Sequence, residues 1–214
     1  MPIHNEEAFL PYTLATLVDA GLNELVVVLD RCSDKSEAII DKFALKANYP
    51  IRKFVVEKRK WKHRTAEVFN IAIKNTESEV IYPLGGDCMY DTRIFEIDWR
   101  PIDFATFSLI DYDLLGDQWR KIRANIINVY RKIVQLGYTR MTRKPLFHQV
   151  QGFKRQVFKS VGIHDVYHED TVFTREANRK GFRYRFFPQF TSVHLGGTQD
   201  LMDAVLPFDS AKKS

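Results

Sequence analysis

The sequence predicts an α/β fold: a Rossmann-like, mostly parallel sheet flanked by helices, followed by an α+β half. Three observations carry this. Short β-branched runs alternate with helix-period segments from residue 6 to residue 84. The run Leu25-Val26-Val27-Val28-Leu29 is apolar at every position, as in a strand buried on both faces of a parallel sheet. Polar loops at 30–36 and 85–91 follow strand-like runs, and α/β folds gather ligands beyond the carboxyl ends of their strands.

Taken in order, Phe9, Leu10, Leu14, Leu17 and Val18 recur at helical spacing within residues 6–20, and Gly21 ends the pattern. The strand 24–29 leads into Asp30-Arg31-Cys32-Ser33-Asp34, where Ser33 or Asp34 caps a helix from about Ser36 to Ala47. A second unit follows, with strand Ile51 to Val56, a basic loop, and helix Thr65 to Lys74 carrying Val68, Ile71 and Ala72 on its inner face. A third strand, Val80 to Leu84, ends at Gly85-Gly86-Asp87. Beyond it, Phe104 to Ile110 reads as a strand. Asp117 to Leu136 reads as a long helix whose apolar stripe is expected to pack on the sheet, with an anionic membrane surface as the alternative.

With 214 residues, 45% hydrophobic and 28% charged, the composition is that of a globular domain. No repeat or Gly/Ser linker divides it, so one domain is expected, with halves at 1–98 and 99–198 and a tail at 199–214. The longest apolar runs, Leu25 to Leu29 and Ala204 to Pro207, fall far short of the roughly 20 residues that cross a bilayer. A cytoplasmic protein with at most peripheral membrane contact is the expectation. Cys32 and Cys88 have no partner at zinc-ligand spacing and read as reduced thiols. The net charge of +5 favours polyanionic partners: nucleic acid, anionic lipid or a diphosphate. The aromatic residues lack the interleaved glycines of an RNA-binding signature, so no nucleic acid is expected, although a basic nucleic-acid-binding protein remains a rival reading.

Four motifs carry chemistry. The chain opens on Pro2-Ile3-His4-Asn5-Glu6-Glu7, which by itself is an acidic helix start. Asp30-Arg31-Cys32-Ser33-Asp34-Lys35-Ser36 is by itself a capped loop. Gly85-Gly86-Asp87 closes an apolar strand with a carboxylate. The last group runs Gly152-Phe153-Lys154-Arg155, Val161-Gly162-Ile163-His164-Asp165, Glu169-Asp170, Arg175 and Gly181. Their order and spacing resemble glycosyltransferase family two from residue 2 to about 197, which implies an A-type glycosyltransferase fold and an inverting transfer from a nucleoside diphosphate sugar to an acceptor hydroxyl.

The resemblance makes 1–98 the nucleotide-binding half and 99–198 the acceptor half, and assigns roles residue by residue. Pro2, Asn5, Glu6, Asp30 and Gly86 would surround the nucleotide, and Lys62 and Arg64 of the basic loop would meet the diphosphate ahead of Asn70. Asp87 matches the second carboxylate of the family's Asp-x-Asp and would hold Mn2+ or Mg2+, which neutralises the leaving diphosphate. Its usual partner is replaced by Gly85. Asp91 is a conceivable substitute but reads better as a cap. His194 sits where related enzymes supply a late histidine, and with Asp87 it makes a mixed oxygen and imidazole site. Asp170 is the expected base, with Glu169 as its neighbour, because direct displacement needs a carboxylate to take the acceptor proton. A sugar, a lipid-linked glycan or a protein would each serve as acceptor. Family members begin with a full strand ahead of the Pro-x-x-Asn-Glu-Glu turn, so the first strand is expected to be truncated or lost here: either the start lies upstream or a shortened version serves the sheet. Together with Gly85 this motivates the other rival, a sugar-nucleotide or glycan binding module that does not turn over.

Overall fold

The computed structural model describes residues 1–58, 60, 61, 64–112, 114–116, 118–142, 150–165 and 169–196. The predicted tail 199–214 and Lys62 lie outside them, as do the side chains of Arg64 and Glu169.

Two sheets form the frame. The first is parallel, in the order β1 (Pro2–Ile3), β2 (Leu25–Asp30), β3 (Ile51–Val56). All six residues of β2 are buried, which explains its unbroken apolar run. β1 pairs Pro2 with Val28 and Ile3 with Leu29. The Met1 amine continues this ladder by donating to the Val26 carbonyl at 2.7 Å. The expected short first strand is thus present as two residues. Connecting the strands are α1 (Leu10–Leu17), α2 (Ser36–Ala44) and α3 (Arg64–Lys74). The first is shorter than its apolar period predicts because residues 6–9 form turns, in which the Phe9 and Leu10 amides donate to the Glu6 carbonyl at 3.0 and 2.9 Å.

The second sheet is mixed. Its order is β4 (Val80–Ile81), β7 (Val150–Lys154), β6 (Phe104–Asp111), β8 (Tyr184–His194), β5 (Cys88–Met89), and only the β6–β8 pair is parallel. The strand expected from Val80 to Leu84 spans only Val80–Ile81, and it pairs antiparallel with β7 instead of extending the parallel sheet. Pro83 accounts for the early end, since it has no amide to donate. In β8 the register with β6 jumps between Phe107–Phe187 and Ser108–Thr191. Pro188 sits in that irregularity and its carbonyl accepts from the Ser108 hydroxyl at 3.2 Å, which is how a proline is tolerated inside a long strand.

Around the second sheet lie a 3₁₀ turn at Thr92–Glu96, α4 (Gln118–Thr142), α5 (Arg155–Val161) and α6 (Glu169–Arg179). An aromatic cluster fills the space beside β6. Tyr82 meets Phe95 edge-on at 4.9 Å, Phe107 stacks on Phe187 at 5.9 Å, and the Trp99 indole donates to the Tyr82 hydroxyl at 2.8 Å. Gly152 lies directly beneath it, where a Cβ would come within 2.8 Å of the Tyr82 ring and 2.9 Å of Trp99.

Asp103 anchors the second half at the opposite end of β6. It takes paired hydrogen bonds from the Arg183 guanidinium, at 2.9 and 3.0 Å, and others from the Arg183 amide, Lys154 and Gln156. These bonds hold its carboxyl well below the usual range.

Candidate active site

The site assembles where loops leave the carboxyl ends of β1 and β2. Asn5 adopts a left-handed backbone, φ 57°, and its side-chain oxygen accepts from the Ser33 amide at 2.8 Å. Asp34 accepts from the Glu7 and Ser36 amides at 2.9 Å each, the Lys35 amide donates to Glu7, and the Glu6 amide donates to the Ser36 hydroxyl. The first two motifs therefore form one interlocked wall. Asp34 sits at the start of α2 as its sequence position predicts. Asp30 is buried within the wall, with the Arg31 guanidinium 3.1 Å from its carboxylate.

Pro2, Ile3, His4, Glu6, Asp30, Thr65, Val68, Phe69, Gly85, Gly86 and Asp87 line a cavity of about 170 Å³. Of the predicted nucleotide contacts, Pro2, Glu6, Asp30 and Gly86 meet here; Asn5 stands behind the wall, and Asn70 does not line the cavity. Gly86 is required by close approach, because a Cβ there would fall 2.6 Å from Ile3. A larger cavity, about 370 Å³, opens between β2 and β4 beside Met1, Leu25 and Trp99. It adjoins the amino-terminal end of β2, away from the strand ends where α/β ligands bind, so the smaller cavity is the better candidate.

Asp87 and His194 come together as predicted. His194 Nε2 lies 2.8 Å from Asp87 Oδ2, and His194 Nδ1 lies 2.9 Å from Asp111 Oδ1. Sheet order explains the contact. His194 ends β8, with Asp111 opposite it on β6 and Cys88 opposite it on β5, and Asp87 immediately precedes Cys88, so the pairing brings the three side chains together. The Leu195 amide clamps the array by donating to the Asp87 carbonyl at 2.8 Å. Burial opposes charge on His194, yet hydrogen bonds with Asp111 and Asp87, and their negative charges, push its pKa up to about 10. Burial would raise the Asp87 carboxyl, but His194 holds it below its ordinary value.

Asp111 was missed from the sequence. Its only signal there is a carboxylate at the end of an apolar strand, and its pairing with His194 bridges 83 residues. A Cβ at Gly85 would lie 2.8 Å from Asp87 Oδ1, so a side chain there would turn the Asp87 carboxylate aside. Asp91 caps the 3₁₀ turn and binds Arg93 at 2.6 Å, as its cap reading anticipates. Among the described residues no group of three or more His, Cys, Asp or Glu side chains is arranged to hold a metal ion. Asp87 and His194 are the residues that could hold a divalent cation, with His194 giving up a ring proton to do so.

Asp170 opens α6 next to Glu169, and its carboxylate accepts from the Thr171 amide at 2.6 Å. Asp170 does not line the 170 Å³ cavity.

The model of the family described as Glycosyl transferase family 2 matches residues 1–182. The chain belongs to this family. No curated protein matches it. Among solved structures, Staphylococcus aureus TarS 1-349 in complex with UDP is similar at 16% identity and a TM-score of 0.62, over 99% of this chain and 65% of that one. The same protein in complex with UDP-GlcNAc gives 18% identity and a TM-score of 0.64, over 92% and 58%. Glucosyl-3-phosphoglycerate synthase from Mycobacterium tuberculosis, in complex with Mg2+ and UDP, gives 15% identity and a TM-score of 0.60, over 94% and 72%. These likenesses establish the A-type fold of the family 2 chain. It spans about two thirds of the TarS 1-349 length.

Proposed function

We propose that this chain transfers a sugar from a nucleoside diphosphate donor to an acceptor hydroxyl, with inversion at the anomeric carbon. The observation that carries the reading is the 2.8 Å contact of Asp87 with His194 at the wall of the cavity that the first two motifs enclose. The family match supports it, and so do the UDP and UDP-GlcNAc complexes of similar structures.

In this reading Pro2, Glu6, Asp30 and Gly86 hold the nucleoside. Asp87 and His194 are the residues that would hold a divalent cation, whose positive charge offsets that of the departing diphosphate. Asp170 takes the proton of the acceptor hydroxyl as its oxygen bonds to the sugar, while the nucleoside diphosphate leaves from the opposite face. Asp111 orients His194 through the far ring nitrogen, the usual arrangement behind a histidine ligand.

Gly85 favours a second reading, a module that binds the donor without turnover, because one carboxylate stands where the family places two. Both readings predict a metal-dependent rise in unfolding temperature with the correct nucleotide sugar, and screening nucleoside diphosphates and their sugars with and without Mn2+ identifies it. Sugar release or transfer then separates them: turnover that requires Asp170 supports the enzyme, and binding without turnover supports the module. No metal-dependent shift with any nucleotide sinks both.

A further inference from the structure

The long helix α4 presents an apolar stripe to solvent. Trp119, Ile122, Ile126, Val129, Ile133 and Leu136 follow one another at alternating steps of three and four residues, and all are exposed, Trp119 by 79% and Ile126 and Ile133 by 66% each. The inner face of α4 packs chiefly against β6. Ala124 is buried there, and the Asn128 amide exchanges hydrogen bonds of 2.8 Å with the Asp111 backbone. At 3.6 residues per turn, Ile133 lies half a turn from Ala124, so the stripe faces away from the sheet. The sequence expectation that this stripe packs on the sheet is thus not met: among the described side chains, small Ala124 and polar Asn128 face the sheet, and the residues of the stripe face outward. Tyr112 and Leu115, also exposed, extend the stripe at the start of α4.

We propose that α4 is a docking surface for an anionic lipid bilayer, lying in its interface. Charge decides between the candidate occupants. The helix carries Arg120, Lys121, Arg123, Arg131, Lys132 and Arg140 and no acidic residue, so an apolar partner that is also negative fits it. A second copy would bring an equally cationic helix against the first and is opposed by repulsion. With six cations the helix does not cross the membrane, and among the described residues no helix is long and apolar enough to do so. Trp119 and Tyr130 belong to the amphipathic residues that settle at the headgroup level. The docked helix also neighbours the site: the Tyr112 amide, in the loop leading into α4, donates to the His194 carbonyl at 2.7 Å. The inference stands independently of which reaction the site performs.

The test is co-sedimentation with phosphatidylcholine vesicles, with and without phosphatidylglycerol, at about 0.05 and 0.5 M salt. The chain is expected to pellet with the anionic vesicles at low salt and to be largely released at high salt. Ile126→Ser with Ile133→Ser should weaken this binding roughly tenfold or more without changing the circular dichroism spectrum, since both side chains are exposed. Absence of binding to anionic vesicles overturns the proposal. So does binding that the double variant leaves intact, which would reflect general basicity. A dimer in solution that the double variant dissociates also overturns it, in favour of a second copy on the stripe.

Discussion

Asp111 Oδ1 stands 2.9 Å from the ring nitrogen of His194 that faces away from Asp87, so a fully buried carboxylate fixes the imidazole from behind. The contact exists because Asp111 and His194 are register partners on parallel strands β6 and β8. It makes His194 a rigid arm and ties the state of the site to the state of the sheet.

Asp111→Asn keeps the size of the side chain and removes its charge. The His194 pKa, raised to about 10 in part by that charge, should fall, and an NMR titration of the imidazole reads the change. The sign for stability follows: the raised pKa adds stability that is complete below the unfolded value of 6.5 and is lost as pH rises toward 10. The variant should therefore lose stability mainly at neutral and lower pH. Mn2+ affinity, followed by calorimetry, should drop about 10- to 100-fold if His194 is a ligand.

Asp170→Asn should reduce kcat by about 10²-fold or more and leave the nucleotide-dependent thermal shift unchanged. Asparagine can still accept from the Thr171 amide, so the α6 start survives. Full turnover in the variant would reduce Asp170 to a helix cap.

Asp103→Asn should destabilise the fold by about 2 kcal/mol in urea unfolding, because it weakens a buried, multiply bonded carboxylate. The depressed pKa of Asp103 gives stability that is present above the unfolded value of 3.8 and is lost as pH falls through the folded value. The gap between wild type and variant should accordingly narrow below about pH 4.

Gly152→Ala should cost about 1–3 kcal/mol without altering nucleotide affinity, since the added methyl meets the Tyr82 and Trp99 rings. The Gly152 of the acceptor-side motif is thus a packing residue. Weakened nucleotide binding with unchanged stability would point instead to a direct role.

Local signals sufficed for much of the chain. The unbroken run at 25–29 and the apolar period of α3 follow from burial on two faces and on one stripe, and these patterns are written into neighbouring residues. The meeting of Pro2, Glu6, Asp30, Gly86 and Asp87 was legible through the family resemblance, and it agrees with the convergence of loops beyond strand ends in an α/β fold. Asp111 was not legible, nor was the antiparallel pairing of β4, because strand order is set by contacts across scores of residues that leave no period in the chain. The outward face of α4 was hidden for a related reason: an apolar stripe states that a helix has two faces, and only the partners brought by the tertiary fold decide which one is covered. By itself the sequence determined most elements of the first half and the carboxylates that follow them. The tertiary structure decided which of them touch, since side-chain contact depends on register and sheet order, which no local propensity encodes.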